Sequence, residues 1–264
     1  MNIKRTYGKL LNRPIKAYWW RHEYPYNMNF GDELTPLILE KVLGKRVTWA
    51  DIEDCQLAAV GSIVEVLQTV TNNRITIWGS GFIQPGGVKV DLLDFAAVRG
   101  KVSAERINRS DMPLGDPGLL VPLASPSHVV KKYRVGILPH YVDEKLPLVQ
   151  ELGKQKDTLV ISPLGKAEDV INDIRSCDLV LSSSLHGLII SDAFGIPNYW
   201  MPLSDALTGG DYKFRDYYSV FDLEPSPITP ALFNKSQIEN LISTFKPKSG
   251  IADIQKRLLQ AFPF

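Results

Sequence analysis

The sequence predicts an α/β protein in which two Rossmann-like domains face a central cleft. Short apolar runs alternate with helix-like stretches along the chain, a pattern typical of β–α–β units with a mostly parallel sheet. A Pro/Ser-containing stretch at 123–128 separates two similar halves, and the length suits two domains of about 100 to 150 residues each. The segments 55–62 (CQLAAVGS) and 177–184 (CDLVLSSS) place Cys, Leu and a final Ser at matching offsets, which supports the division.

We place the domain boundary between residues 125 and 126. Residues 1–125 then form an N-terminal domain, and residues 126–264 form a C-terminal domain that ends in a helix. The apolar spacing of Ile251, Ile254 and Leu258 predicts that helix. The alternative to this division is that the two matching segments are buried strands that resemble each other by chance. Between two such domains the carboxyl ends of both sets of strands meet, which is where we expect a site.

In the first half, short apolar runs predict the strands and an amphipathic pattern predicts the helices. The strands are predicted at Ile15–Trp19, Gln56–Val60, Ile75–Trp78 and Phe95–Val98. The helices are predicted at Glu33–Leu43 and Ser103–Asn108. Leu34, Leu37 and Ile38 give the first helix an apolar face, and Pro36 is tolerated because it lies within the first turn.

The second half repeats the alternation of strands and helices. Its strands are predicted at Arg134–Leu138, Leu159–Ile161, Leu179–Leu181 and Asn198–Trp200. Its helices are predicted at Glu144–Leu152, Ala167–Arg175 and Leu185–Phe194. Gly195 and Pro197 directly follow the last of these helices, as residues that end helices commonly do.

The composition excludes several classes of function. The net charge of +1 gives no reason to expect nucleic acid as a partner. Two cysteines are too few for a disulfide framework and suit a reducing compartment. The basic amino terminus lacks the apolar segment of a signal peptide, and no apolar run is long enough to span a bilayer. We therefore expect a cytoplasmic protein, with peripheral contact with a membrane left open.

His186 is the leading candidate for chemistry. It follows Ser182, Ser183 and Ser184 at the predicted start of a helix, where backbone N–H groups and the helix dipole favour an anion. A helix amino terminus lowers the pKa of a histidine and a bound anion raises it, so protonation would depend on substrate, as suits a general acid. In the alternative, His186 bonds a backbone carbonyl and one serine caps the helix.

The first half offers two loops that follow predicted strands or precede a helix. Asn29 and Asp32 stand just ahead of the first helix, where Asp32 is a candidate base or hydroxyl-orienting group; either residue could equally cap the helix. Gly79, Ser80 and Gly81 follow a strand and would let a ligand approach the backbone closely. As a phosphate-binding fingerprint this loop is weak, because the third glycine of a dinucleotide site is missing.

Cationic side chains also follow predicted strands. Arg99 could bind a carboxylate or phosphate through two parallel hydrogen bonds, or be an ordinary surface arginine. His140 ends another strand and would reach the cleft. Residues 209–218 (GGDYKFRDYY), with Lys213, are predicted to form a loop that suits a sugar and its phosphate, or else a solvated amphipathic turn. The four histidines show no metal-ligand spacing, so we expect no metal.

Several of these segments together resemble the polysaccharide pyruvyl transferase family. They occur in the family's order: NFGDELTPLIL (29–39), GS (61–62), WGSGF (78–82), RGKVS (99–103), GDPGLL (115–120), LPHYVD (138–143), SSSLHGLIISDAFGIP (182–197) and YKFRDYY (212–218). The long segment around His186 is fairly specific, whereas the glycine dipeptides are not. Many members carry a basic residue where this chain has Leu185, so Lys213 or Arg99 would supply that anion contact.

The resemblance implies a fold similar to GT-B glycosyltransferases and transfer of pyruvate from phosphoenolpyruvate to a sugar as a ketal, with release of phosphate. It implies no cofactor beyond the phosphoenolpyruvate donor. We expect His186 to be the acid that protonates the donor's methylene carbon, and Asp32 to orient or deprotonate the acceptor. The expected substrate-binding residues are Arg99, Ser183, Ser184, Lys213, His140, Asn29, Gly79, Ser80 and Gly81.

The expected partners are phosphoenolpyruvate and a sugar acceptor, and the sequence leaves open whether that acceptor is lipid-linked, nucleotide-linked or polymeric. Two other functions stay open at this point. A GT-B glycosyltransferase that uses a nucleotide sugar would share the architecture and the anion site at a helix terminus. A non-catalytic sugar-binding subunit of a polysaccharide assembly complex would bind phosphoenolpyruvate without turnover.

Overall fold

A computed structural model describes residues 13–21, 28–124 and 128–264. These residues form two parallel sheets, one of five strands and one of four, so the prediction of an α/β protein with parallel sheets is confirmed. The strands of the first sheet are β1 (Ile15–Tyr18), β2 (Val47–Trp49), β3 (Leu57–Ala58), β4 (Ile75–Trp78) and β5 (Leu93–Ala97). The strands of the second sheet are β6 (Tyr133–Leu138), β7 (Thr158–Val160), β8 (Cys177–Ser182) and β9 (Asn198–Trp200). The predicted linker at 123–128 lies partly outside the described residues.

Helices connect the strands and cover the sheets. They are α1 (Leu34–Leu37), which continues as a π-helical turn at Ile38–Val42, α2 (Val64–Leu67), α3 (Lys101–Arg106), a 3₁₀ turn at Pro117–Leu120, α4 (Val121–Ala124), α5 (Pro147–Gly153), α6 (Ala167–Arg175), α7 (Leu185–Ala193), α8 (Tyr212–Ser219), α9 (Lys235–Thr244) and α10 (Ile251–Ala261). Within the described parts of the chain, none of these helices is both long and apolar enough to cross a membrane.

The two sheets have the same strand order. The first runs β2-β1-β3-β4-β5 and the second runs β7-β6-β8-β9, so β3 and β8, which carry the two matching sequence segments, occupy equivalent positions. In both sheets the chain moves outward in opposite directions from two neighbouring strands, β1 and β3 or β6 and β8. A crevice opens at the carboxyl ends of such a strand pair, where α/β sheets bind ligands.

The strands of the second sheet are apolar at consecutive positions because the sheet is covered on both faces. Leu179, Val180 and Leu181 of β8 have no exposed surface, and Leu181 lies opposite Ile137 of β6 in the parallel register. Burying each of these side chains contributes about 1.5–3 kcal/mol. The rigid pair β6–β8 therefore fixes the backbone from which the polar residues after both strands project.

Helix α10 crosses back to the first half of the chain. The indole of Trp78 donates a hydrogen bond of 2.9 Å to the carbonyl oxygen of Leu258, and the amide of Gln255 donates one of 2.7 Å to Leu119. Ile254 and Leu258 are buried beside Gly115, where an added Cβ would lie 2.5 Å from Ile254. The periodicity predicted this helix without identifying the surface on which it packs.

The prediction of a loop at 209–218 was wrong, because residues 212–219 form helix α8. Its inner face consists of Lys213, Phe214, Asp216 and Tyr217, all buried. These four residues have helical spacing, but two of them are charged. A search for a periodic pattern of apolar residues therefore does not predict this helix. The helix matters for function because it carries Lys213 into the interior.

Candidate active site at the carboxyl ends of both sheets

A cavity of about 340 Å³ opens at the carboxyl ends of β1, β3, β6 and β8. Both halves of the chain line it. Among the residues predicted for the site, those on its wall are Asn29, Asp32, His140, Ser184, His186 and Lys213. The other described residues predicted for the site, Arg99, Ser183, Gly79, Ser80 and Gly81, are not on its wall. The structure therefore brings predicted residues from both halves of the chain to one cavity. Five of the predicted residues do not line it.

Of the three consecutive serines at the end of β8, two form hydrogen bonds within the protein and one lines the cavity. Ser182 donates a hydrogen bond of 2.8 Å to the Leu138 carbonyl oxygen, and Ser183 donates one of 2.8 Å to Asp143. Only Ser184 lines the cavity, at the amino-terminal cap of α7 and without a capping hydrogen bond from its hydroxyl. The first serines thus tie the turn to β6, while the third and the helix amino terminus face the cavity.

Close packing of α7 on β8 requires a glycine at position 187. A Cβ there would lie 2.4 Å from the hydroxyl oxygen of Ser182. Because this approach brings the first turn of the helix onto the strand end, the positive end of the helix dipole and its unpaired N–H groups point at the cavity. The local sequence therefore builds an anion-binding end on one side of the cavity.

His186 lies in the first turn of α7, and its side chain is 14% exposed. Burial, followed by the positive charges of Lys213, Arg99 and His140, lowers the pKa of His186 to about 3. The imidazole is therefore neutral at neutral pH in the free protein. For His186 to donate a proton, a bound anion must first offset the surrounding positive charge and raise its pKa.

Gly31 leaves the space that the His186 ring occupies, since an added Cβ would lie 2.1 Å from Nδ1. We predict that Gly31→Ala displaces the ring and destabilises the fold by about 1–3 kcal/mol, the usual cost of overpacking. Urea denaturation checks the free energy, and histidine NMR resonances check the ring. Gly87→Ala is the matched control, because nothing lies within 4 Å of an added Cβ there. An unshifted His186 resonance in Gly31→Ala would contradict the prediction.

Lys213 is a buried cation on the cavity wall, with 8% of its surface exposed. No carboxylate in the described part of the chain forms an ion pair with it. Burial, then the charge of Arg99, lowers the pKa of Lys213 to about 8, although Asp32 and Asp143 act in the opposite direction. A buried ammonium normally has a partner, so this side chain is available for an anion that enters the cavity.

Arg99 lies behind the wall, fully buried. Its Nε donates a hydrogen bond of 2.9 Å to Asp216 and its Nη2 donates one of 2.6 Å to the Phe82 carbonyl oxygen. Its Nη1 donates to the hydroxyl of Ser62, which lines the cavity. Every guanidinium nitrogen thus has a protein acceptor. Sequence reasoning had no signal for this, because Asp216 lies in α8, 117 residues further along the chain.

The glycine loop after β4 is also internal. Gly79 has a φ of +90°, and an added Cβ would lie 2.3 Å from Pro117. Ser80 is fully buried, and a Cβ on Gly81 would lie 2.6 Å from the guanidinium carbon of Arg99. These glycines permit close packing of protein on protein rather than lining the cavity.

The turn before α1 brings hydrogen-bonding and acidic groups to the cavity next to the His186 ring. Asn29 accepts a hydrogen bond of 2.9 Å from the Gly31 N–H, which fixes the turn before α1, and Asp32 lines the cavity beside Gly61. Glu65, which the sequence reasoning missed, lines it too and is held by Arg106 at 3.0 Å. The cavity wall therefore carries cations and a helix terminus together with carboxylates.

Two further features of the cavity were not predicted. Trp20 follows β1 and is 42% exposed at the cavity wall. Since ligands bind at the carboxyl ends of strands in α/β sheets, its position after β1 would have indicated it. Asp116 lies behind His186 and is fully buried.

The described residues contain no group of three or more His, Cys, Asp or Glu side chains arranged to hold a metal ion.

Comparison with known proteins adds independent information. The family model described as polysaccharide pyruvyl transferase matches residues 15–205. The chain is 27% identical over 220 residues to the succinoglycan biosynthesis protein ExoV of Rhizobium meliloti (strain 1021), which covers 81% of this chain and 67% of that protein. It is 28% identical over 214 residues to an uncharacterized protein of Acanthamoeba polyphaga mimivirus, which covers 77% of this chain and 74% of the relative.

Proposed function

Because the chain belongs to the polysaccharide pyruvyl transferase family, we propose that it transfers pyruvate from phosphoenolpyruvate to a sugar of a polysaccharide or its precursor. Family membership and the similarity to a succinoglycan biosynthesis protein support pyruvyl transfer in polysaccharide biosynthesis. The donor, the ketal product and the roles of individual residues are our proposal. The observation that carries it is the buried Lys213, which forms no ion pair within the described residues and lines the same cavity as the first turn of α7.

A small polyanion fits the cationic side of the cavity. Phosphoenolpyruvate carries a phosphate and a carboxylate, and both need donors that replace water. The ammonium of Lys213, the N–H groups at the start of α7 and the hydroxyl of Ser184 face the same space. His140 lines the cavity next to them. In this proposal Arg99 does not contact the donor. It holds Ser62, which lines the cavity, and adds positive potential there.

In the proposed reaction two residues of the cavity wall make different proton transfers. His186 donates a proton to the methylene carbon, which becomes a methyl group, while a sugar hydroxyl forms a bond to C2. Asp32 takes the proton of that hydroxyl. The C2–O bond to phosphate then breaks, a second hydroxyl bonds to C2, and its proton leaves with the phosphate. The products are a pyruvate ketal and inorganic phosphate, and positioning with electrostatic preorganisation supplies most of the acceleration.

We further propose that the two sheets belong to two domains in a GT-B-like arrangement, divided at residues 125 and 126, with α10 returning to pack on the N-terminal domain. The N-terminal domain would hold the acceptor through the polar side of the cavity, where Trp20 offers a ring face to a sugar. The C-terminal domain would hold phosphoenolpyruvate through α7 and Lys213. The chain would need no cofactor other than this donor.

The function is tested by following phosphate release from phosphoenolpyruvate in the presence of a panel of sugar acceptors. Lipid-linked and nucleotide-linked sugars are both included, and mass spectrometry of the acceptor identifies the added pyruvate. We expect turnover with at least one acceptor and a thermal shift with phosphoenolpyruvate. A thermal shift with nucleotide sugars alone would instead favour a glycosyltransferase. Phosphoenolpyruvate binding without turnover on any acceptor would favour a binding subunit.

The affinity for phosphoenolpyruvate is expected to fall above pH 8. Burial lowers the pKa of Lys213 to about 8, so the ammonium is charged below that pH and loses its charge above it. Loss of this charge should therefore add a rise in Kd of roughly tenfold per pH unit above pH 8, a steepening that begins at the pKa of Lys213. Isothermal titration calorimetry on both sides of pH 8 measures this dependence.

The Lys213→Met variant should weaken binding by about 10- to 100-fold, since hydrogen bonds to charged groups contribute about 1.5–3 kcal/mol, and should flatten the pH dependence. Lys154→Met is the control, because Lys154 is exposed and paired with Glu151. Unchanged affinity in Lys213→Met would exclude Lys213 from the donor site.

A further inference from the structure

Two buried polar atoms face each other behind the cavity, and neither has a hydrogen-bond partner within the described residues. They are Nε2 of His186 and Oδ2 of Asp116, and they are 3.8 Å apart. A carboxylate oxygen without a partner in a fully buried position is costly. Such an atom in a native structure calls for an explanation.

The rest of Asp116 is fixed. Its Oδ1 accepts a hydrogen bond of 2.8 Å from the Gly118 N–H, at the start of the 3₁₀ turn. Pro117 in turn packs beneath Gly79. The carboxylate therefore presents Oδ2 to His186 from a rigid backbone, and a closure of about 1 Å would bring the pair to hydrogen-bond distance. Long contacts of this kind often tighten when a substrate binds.

Within the described residues Nε2, and not Nδ1, is the ring nitrogen that is buried without a partner, and His186 itself lines the cavity. Nδ1 is beside Gly31, and Gly31 stands between Asn29 and Asp32, both of which line the cavity. The ring is thus placed between a buried carboxylate and the ligand space. This is the geometry in which one nitrogen is held while the other exchanges protons.

We propose that Asp116 is the positioning carboxylate of His186, which accepts a hydrogen bond from Nε2–H and leaves Nδ1 to transfer the proton. This inference rests on the proposed function for the identity of the proton acceptor. When the anionic donor binds, Nδ1 takes up a proton from solvent and Asp116 stabilises the imidazolium. Nδ1 then gives that proton to the methylene carbon, and the imidazole returns to the neutral form with its hydrogen on Nε2.

The charged groups around the pair are consistent with this cycle. Lys213, Arg99 and His140 disfavour a charged His186 in the free protein. Burial raises the pKa of Asp116 to about 6, with Arg99 lowering it and Asp216 raising it. A bound polyanion offsets the positive charge of Lys213 and Arg99, so the proton balance of the pair shifts when the donor enters.

The test measures the tautomer of His186 by NMR and the kcat with phosphoenolpyruvate. In ¹⁵N-histidine NMR of the free protein, we expect His186 to carry its hydrogen on Nε2. In Asp116→Asn, which keeps an oxygen for the Gly118 cap, the amide donates to Nε2 and the hydrogen should move to Nδ1. The kcat should fall by about 10²- to 10⁴-fold with the KM for phosphoenolpyruvate nearly unchanged. Asp143→Asn is the control for a buried carboxylate, and should leave the tautomer unchanged.

The outcomes separate this inference from the proposed function. A wild-type hydrogen on Nδ1, or an Asp116→Asn protein with the wild-type tautomer and kcat, would overturn the role of Asp116. If Asp116→Asn does not fold, Asp116→Ser keeps a capping oxygen and must lose turnover, and the wild-type tautomer still decides. A wild-type protein that shows the expected tautomer but no reaction with phosphoenolpyruvate would refute the function and leave the pair intact.

Discussion

His186→Asn is expected to slow pyruvyl transfer by about 10²- to 10⁴-fold, the range that a general acid contributes. Asparagine retains a polar group at the start of α7 but cannot give a proton to carbon. Since we propose that donor binding depends on Lys213 and the helix terminus, the KM for phosphoenolpyruvate should change little. Steady-state phosphate release at saturating acceptor measures both constants.

The control for this experiment is His128→Asn, because His128 is exposed and far along the chain from α7. Circular dichroism and urea denaturation establish that both variants fold. A His186→Asn protein with nearly normal kcat would remove the imidazole from the chemistry. A normal kcat with a large rise in KM would instead make His186 a binding residue.

Arg99→Met is expected to destabilise the protein by about 3–5 kcal/mol, because it leaves the Asp216 carboxylate buried without its cation. The hydroxyl of Ser62 and the carbonyl of Phe82 lose their donor as well. A loss of this size is a large part of the roughly 5–15 kcal/mol that stabilises a typical protein. Urea denaturation monitored by tryptophan fluorescence measures the change.

Two comparisons make the Arg99 result specific. Arg74→Met removes an ion pair of similar length, 2.9 Å to Asp94, but its side chain is 62% exposed, so we expect less than about 1 kcal/mol. The double variant Arg99→Met/Asp216→Asn removes both charges and should be more stable than Arg99→Met alone. If Arg99→Met instead keeps its stability and raises the KM for phosphoenolpyruvate, the guanidinium contacts the donor, as the family resemblance implied.

Much of the sheet structure could be predicted because buried parallel strands are apolar at most positions. Ile75–Trp78, Asn198–Trp200 and the helix Ala167–Arg175 have the predicted bounds. Strand β2 was missed because Val47–Trp49 is short and none of its residues is buried. Helix α9 was missed for a related reason, since none of its residues is buried and its apolar pattern is weak.

The site was predictable where a single strand end determines it. Ser184 and His186 follow β8, and His140 follows β6, so position alone placed them at the cavity. The roles of Arg99 and Asp116 depend on which distant segment packs against them. Asp216 and His186 come from later helices, and no local pattern encodes such pairings.

The return of α10 to the first half affects how the protein is made. Trp78 and Gly115 pack against Ile254 and Leu258. The ribosome adds Leu258 180 residues after Trp78. Domains generally fold as units, amino-terminal first, as synthesis proceeds. Until α10 is made, the apolar surface around Trp78 that Ile254 and Leu258 cover stays exposed, so nascent chains stalled before residue 251 should recruit chaperones that chains carrying α10 do not.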